Sequence, residues 1–235
     1  DIKLSPDGKR VITGQTIKGT DRAGVIKLWD AETGQLIRTF RATPMNIAFS
    51  ADGSKIVSGG SGIDFKPNGQ LTLWDAGSGK LIRSFEGHKN FSSVSKVAIS
   101  PDGKRIVSVT SLDAVRLWDV GSGRAITLST KVDEVYTLAF LPDSKTLMTG
   151  DQDGTVKLWD AASGRLLKSM PRENRASAIL PMPDGLHALI GLELTELESG
   201  KVTRKFGAGY IGFEAQYSDD GSTLLSAGSL RPASG

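Results

Sequence analysis

Cysteine is absent from the 235 residues, and histidine occurs only twice. The first absence excludes disulfides and thiolate metal centres, and it leaves the redox compartment open. The second leaves only His88 and His187, in different parts of the chain. They support neither a nucleophilic triad nor a three-ligand metal set without arbitrarily chosen carboxylates, so no catalytic residue, metal or cofactor is expected. No apolar run approaches the ~20 residues of a membrane-spanning helix. The opening DIKLSPDGKR has neither signal-peptide nor transit-peptide character. A cytoplasmic protein with no membrane partner is the expectation. Charge of one sign is also scarce: 29 basic residues face 26 acidic ones, a net charge of +3. Without a long basic block, no nucleic-acid partner is expected. Glycine, at 28 residues, is what the chain has in plenty. Its regular placement at turn positions argues for many short strands rather than disorder.

What is present is repetition. Val25 to Gly34 reads VIKLWDAETG, Leu71 to Gly79 reads LTLWDAGSG, Val115 to Gly123 reads VRLWDVGSG, and Val156 to Gly164 reads VKLWDAASG. The four tryptophans, Trp29, Trp74, Trp118 and Trp159, lie 45, 44 and 41 residues apart. A second marker, Ser-Pro-Asp-Gly-Lys-Arg, stands at 5–10 and again at 100–105, with variants near 52, 143, 184 and 220. Asp-Gly between β-branched runs is a hairpin signal, because glycine accepts the positive φ of the turn. Each unit thus reads as four strands, a to d. The Asp-Gly turn joins a to b, Leu-Trp-Asp ends c, and a Ser/Thr-Gly turn leads into d. Sheets this small bury their two faces only by stacking on one another, which is the propeller solution. An array with a period near 40 residues is expected, with each tryptophan filling space between neighbouring sheets.

These motifs resemble the WD40 (WD-repeat) β-propeller family over essentially the whole chain. The resemblance implies an all-β fold of four-stranded antiparallel blades, approximately 1–40, 41–86, 87–129, 130–171 and 172–207, with a partial sixth over 208–235. The fifth unit is worn: Thr195 stands at the tryptophan position, and about five residues are missing before it. Family propellers usually have seven blades, so a longer polypeptide, with six to eight blades in the ring, is expected. The family's His, Ser/Thr, Asp, Trp tetrad is eroded. The third unit keeps Gly87-His88, Ser108 and Trp118 with Asp113 one position late; the fourth keeps Thr149, Asp153 and Trp159. Trp29, Trp74, Trp118, Trp159, the following Asp30, Asp75, Asp119 and Asp160, and His88 with Ser108 are given structural roles.

The function implied is a non-catalytic scaffold binding another protein, or another domain of the same polypeptide, through one rim. In this family the d–a and b–c loops form that rim. Carried over by position, it holds Arg41, Phe65, Lys89, Phe91, Asp133, Glu134, Tyr136, Arg175 and Tyr210 as partner-binding candidates, aromatic and arginine side chains being the usual anchors. An alternative is a regulatory module fused to an effector domain such as a kinase, protease or defence ATPase. A third reading is a quinone-dependent propeller dehydrogenase, whose repeats carry a loosely similar Asp-Ala-x-Thr-Gly. Here that segment always follows Leu-Trp, and no quinone site can be traced. Gly207 to Gly212 matches G-x-G-x-x-G, but a strand rather than the required helix is expected to follow it. The Asp-Gly aspartates read as turn residues rather than calcium ligands.

Overall fold

The computed structural model describes residues 1–16, 24–42, 44–60, 70–88, 93–110, 115–129, 135–172, 178–206, 214–217 and 224–227. Their regular structure is all strand, arranged as five four-stranded sheets and one two-stranded sheet. The first sheet contains β1 (Ile2–Leu4), β2 (Arg10–Thr16), β3 (Gly24–Asp30) and β4 (Leu36–Arg41). The second contains β5 (Pro44–Phe49), β6 (Lys55–Gly60), β7 (Gln70–Asp75) and β8 (Leu81–Phe85). The third contains β9 (Val94–Ile99), β10 (Arg105–Thr110), β11 (Val115–Asp119) and β12 (Ala125–Ser129). The fourth contains β13 (Val135–Phe140), β14 (Thr146–Asp151), β15 (Val156–Asp160) and β16 (Leu166–Met170). The fifth contains β17 (Ile179–Pro181), β18 (His187–Ile190), β19 (Glu193–Glu196) and β20 (Val202–Lys205), and β21 (Glu214–Tyr217) pairs with β22 (Leu224–Ala227). Every pairing is antiparallel between consecutive strands, the order of β-propeller blades.

Local chemistry explains the hairpins. In the first three sheets the serine before Pro/Ala-Asp-Gly gives its hydroxyl proton to the turn aspartate. Ser5–Asp7, Ser50–Asp52 and Ser100–Asp102 are 2.6, 2.5 and 2.6 Å apart. The same hydroxyls accept the backbone N–H of Arg10, Lys55 and Arg105, each at 2.9 Å. Gly53 has φ 65°, and in the fourth sheet Ser144 takes the same left-handed conformation at φ 60°, the one non-glycine residue with positive φ among the described residues. The shortened fifth sheet closes its second hairpin in two residues, since Ile190 pairs directly with Glu193 around Gly191-Leu192.

The chain divides into two compact units, Asp1–Asp133 and Glu134–Gly235. In the first, Ile12, Ile26, Leu28 and Phe40 of the first sheet share a core with Ile47, Ile56 and Ala76 of the second, and Trp74 packs against it. Leu71, Leu73 and Phe85 of the second sheet share another with Val97, Ile106 and Trp118 of the third. In the second unit, Met148, Leu158 and Met170 of the fourth sheet meet Ile179, Ala188, Ile190 and Leu197 of the fifth. Burial between flat faces supplies the main stabilisation.

Candidate interaction surface

A binding surface made of loops needs a rigid frame beneath it, and the frame is set by a repeated polar link. Trp29 Nε1 donates to Thr13 Oγ1 at 2.9 Å, Trp118 to Ser108 Oγ at 2.8 Å, and Trp159 to Thr149 Oγ1 at 3.0 Å. Trp74 donates to both Ser58 Oγ and Thr72 Oγ1 at 3.1 Å, and those hydroxyls lie 2.6 Å apart. In the third sheet the link extends one step, because His88 Nε2 lies 2.6 Å from Ser108 Oγ and is buried. Phenylalanines from the preceding sheet close on two of the rings: Phe40 on Trp74 with centroids 5.8 Å apart, and Phe85 on Trp118 at 5.5 Å, both edge-on.

The aspartate after each tryptophan builds the c–d turn. Oδ1 of Asp30, Asp75, Asp119 and Asp160 accepts both the backbone N–H and the hydroxyl of Thr33, Ser78, Ser122 and Ser163, at 2.6–2.7 Å. These hydrogen bonds favour the ionised form and hold all four carboxyls below the usual range. Asp153 likewise accepts the N–H of Thr155 at 2.8 Å, so it closes its own turn. His187 Nδ1 lies 2.8 Å from Asp184 Oδ2 at another turn. Among the described residues no group of three or more His, Asp or Glu is placed to hold a metal.

Within each unit, neighbouring sheets are also tied to each other by hydrogen bonds from the first and the fourth strands. At the first strands, Ile47 N–H donates to Asp1 Oδ2 at 2.8 Å, Val97 N–H to Asn46 Oδ1 at 2.8 Å, and Ile179 N–H to Thr137 Oγ1 at 3.3 Å. From the fourth strands, Arg38 Nη2 donates to Gly77 O at 2.7 Å and Arg83 Nη2 to Gly121 O at 2.8 Å, while Lys168 Nζ reaches the carbonyls of Leu197 and Glu198. The third sheet differs. At the position of Asn46 and Thr137 it holds Lys96, a donor-only ammonium whose pKa is pushed down by burial and by the nearby charge of Lys3. Its last strand, Ala125–Ser129, has no cation, and the β-bulge that precedes Trp29, Trp74 and Trp159 falls instead between Val115 and Arg116.

The fifth sheet rebuilds the tryptophan site with charge. Thr195 at the tryptophan position is buried, and Ile190 occupies the serine/threonine position. Arg172, from the segment before β17, donates through Nη2 to Thr195 Oγ1 at 2.9 Å and pairs with Glu193 Oε2 at 2.6 Å. Lys205 Nζ lies 2.8 Å from Glu193 Oε1. The lysine contact foremost, then the Arg172 pair, hold Glu193 below the usual carboxylate range despite its partial burial. Sequence reasoning missed this cluster. Its signal was the charge reversal two residues before the tryptophan position, where Glu193 replaces Lys27, Arg116 or Lys157.

Of the rim candidates, Arg41 is exposed at the end of β4 opposite Val25, and Tyr136 is half-buried near the start of β13. Both sit where the d–a connections attach. Phe65, Lys89, Phe91, Asp133, Glu134, Arg175 and Tyr210 lie outside the described residues, as does Asp113. Among the described residues no helix is long and apolar enough to cross a membrane.

Two segments, 79–119 and 125–160, match the family model of the WD domain, G-beta repeat. They cover most of the third and fourth tryptophan-bearing units. A search of curated proteins found no match to the chain.

Proposed function

Because the chain is a WD40-repeat protein built of β-propeller blades, we propose that it is a non-catalytic platform whose d–a and b–c loops dock another protein. WD40 repeats are protein-interaction modules in general, and their family is generally non-catalytic. The observation that carries the reading is the rigidity of the frame. Four sheets repeat one Trp-to-hydroxyl link and one Asp-closed turn, so their polar side chains are engaged in building blades. Loops projecting from such a frame are free to vary and to bind. Arg41 and Tyr136, with Phe91 and Arg175 carried over by position, are the anchors of choice on this rim.

The test is a pull-down from the native source with the wild-type chain and the triple variant Phe91→Ala/Tyr136→Ala/Arg175→Ala. Loss of the captured protein with little change in melting temperature is the expected result. Retention of the same protein by the triple variant would assign binding to another face.

A further inference from the structure

Three kinds of side chain reach forward from one sheet to the next within each unit. On the first strand, Asp1, Asn46 and Thr137 accept the backbone N–H of Ile47, Val97 and Ile179. On the fourth strand a cation lies opposite the leucine before the tryptophan: Arg38 faces Leu28, Arg83 faces Leu73 and Lys168 faces Leu158. These cations reach the carbonyls of Gly77, Gly121 and Leu197. Two residues further on stand Phe40, Phe85 and Met170, paired with Ile26, Leu71 and Val156. Phe40 and Phe85 close edge-on against Trp74 and Trp118, and Met170 belongs to the core that the fourth and fifth sheets share.

The third sheet receives this set and does not pass it on. Val97 N–H is served by Asn46, Gly121 by Arg83 and Trp118 by Phe85. At its own three positions the residue types change. Lys96 occupies the place of Asn46, and an ammonium has donors but no acceptor to offer. The displaced β-bulge sets the aliphatic Ile126 opposite Leu117, where the other sheets carry the cation. Ser129 pairs with Val115, where the first, second and fourth sheets carry phenylalanine or methionine. A single loss of this kind is ordinary wear in a repeat. Here three losses, on two different strands, fall in one sheet, and the compact unit Asp1–Asp133 ends directly after it.

In a repeat array the stability of each sheet is its own plus what its neighbours contribute, so cooperativity ends where the neighbour contribution is smallest. We propose that the third sheet is a built-in break in cooperativity: Asp1–Asp133 and Glu134–Gly235 unfold as separate units, and one opens while the other stays folded. The three sheets of the first unit open together, because each is tied forward to the next through all three positions. Opening that starts in either unit, whether by denaturant or by the pull of a bound partner, stops at the third sheet.

The experiment is a urea titration of the 235-residue chain labelled with 5-fluorotryptophan and read by ¹⁹F NMR. Trp29→Phe, Trp74→Phe, Trp118→Phe and Trp159→Phe assign the four signals. Trp29, Trp74 and Trp118 report the three sheets of the first unit, and Trp159 reports the fourth sheet. One shared midpoint is expected for the first three, with that of Trp159 displaced from it by about 0.5 M urea or more. A smaller displacement, or a first-unit signal that moves with Trp159, overturns the proposal. A second variant tests the cause. Asn46→Lys/Arg83→Ile/Phe85→Ser writes the third sheet's residues into the second, and it should part the Trp118 transition from those of Trp29 and Trp74 by a similar interval. A Trp118 signal that keeps the midpoint of Trp74 in this variant overturns the proposal as well. If the variant does not fold, the wild-type titration decides alone.

Discussion

The third and fifth sheets solve one problem with opposite chemistry. Each must bring one buried N–H to one buried hydroxyl at the centre of a small sheet. In the third, the neutral indole of Trp118 donates from strand c to Ser108 on strand b, with His88 behind it. In the fifth the hydroxyl has moved to strand c, as Thr195, and the donor arrives from outside the sheet as the Arg172 guanidinium. A cation brought inside needs an anion, which Glu193 supplies where the other sheets carry Lys27, Thr72, Arg116 or Lys157. What the repeat keeps is therefore the hydrogen bond rather than the residue. The indole brings a large apolar surface as well as its donor, whereas the guanidinium carries a desolvation penalty that its pair must offset.

The comparison breaks most readily at the indole. Trp118→Ala should cost about 3–5 kcal/mol, because a ring that is 1 % exposed leaves a cavity and Ser108 loses one of its two side-chain partners. Urea denaturation followed by hydrogen exchange resolved sheet by sheet would measure it, with the loss centred on the second and third sheets. Arg172→Met should cost less, about 1–3 kcal/mol, because Lys205 remains beside Glu193. A double-mutant cycle with Glu193→Gln sharpens the point. A coupling of about 1 kcal/mol or more is expected for a working pair, and one within about 0.3 kcal/mol of zero would reduce the cluster to packing.

Acid should separate the two sheets by a smaller margin. Glu193 has a folded pKa depressed below 4.5, so its contribution is full above 4.5 and lost as pH falls through the lower folded value. The indole-to-serine bond involves no carboxylate. The turn aspartates Asp102 and Asp119 of the third sheet and Asp184 of the fifth are also depressed below 3.8 and lose their contribution in the same direction, so Glu193 is the depressed carboxylate at the centre of the fifth sheet that the third has no counterpart for. Exchange protection in β18 and β19, corrected for intrinsic rates, should fall before that of β10 and β11 as pH drops below 4.5. In Glu193→Gln that lead should vanish.

Much of the fold could be read from the sequence because its markers are local. Asp-Gly sets a hairpin within four residues, and Leu-Trp-Asp-x-x-Ser/Thr-Gly sets both the end of strand c and the turn after it. The residues missing before Thr195 likewise correspond to a shortened hairpin, which closes at Gly191-Leu192. The links between sheets were harder, because each joins residues about 40 apart whose types look ordinary. Nothing in the residue types of Arg38 and Arg83 points to the carbonyls of Gly77 and Gly121 that they reach. Lys157 pairs with the buried Asp151 six residues earlier, a partner that the repeat pattern does not mark. Arg172 was invisible for a further reason. Its partner Glu193 departs from the repeat pattern, and a pattern predicts best where it is obeyed. Of the rim, only Arg41 and Tyr136 fall within the described residues.

The hydrogen bonds between neighbouring sheets share a direction. Asp1 serves Ile47, Asn46 serves Val97 and Thr137 serves Ile179, while Arg38 and Arg83 reach forward to Gly77 and Gly121. In every case the side chain belongs to the earlier repeat and the backbone group it satisfies belongs to the later one. When the second, third or fifth sheet leaves the ribosome it therefore meets a template that has already been made. Across these three contacts growth is vectorial, and the later sheet need not wait for its own successor to have the backbone groups named here satisfied.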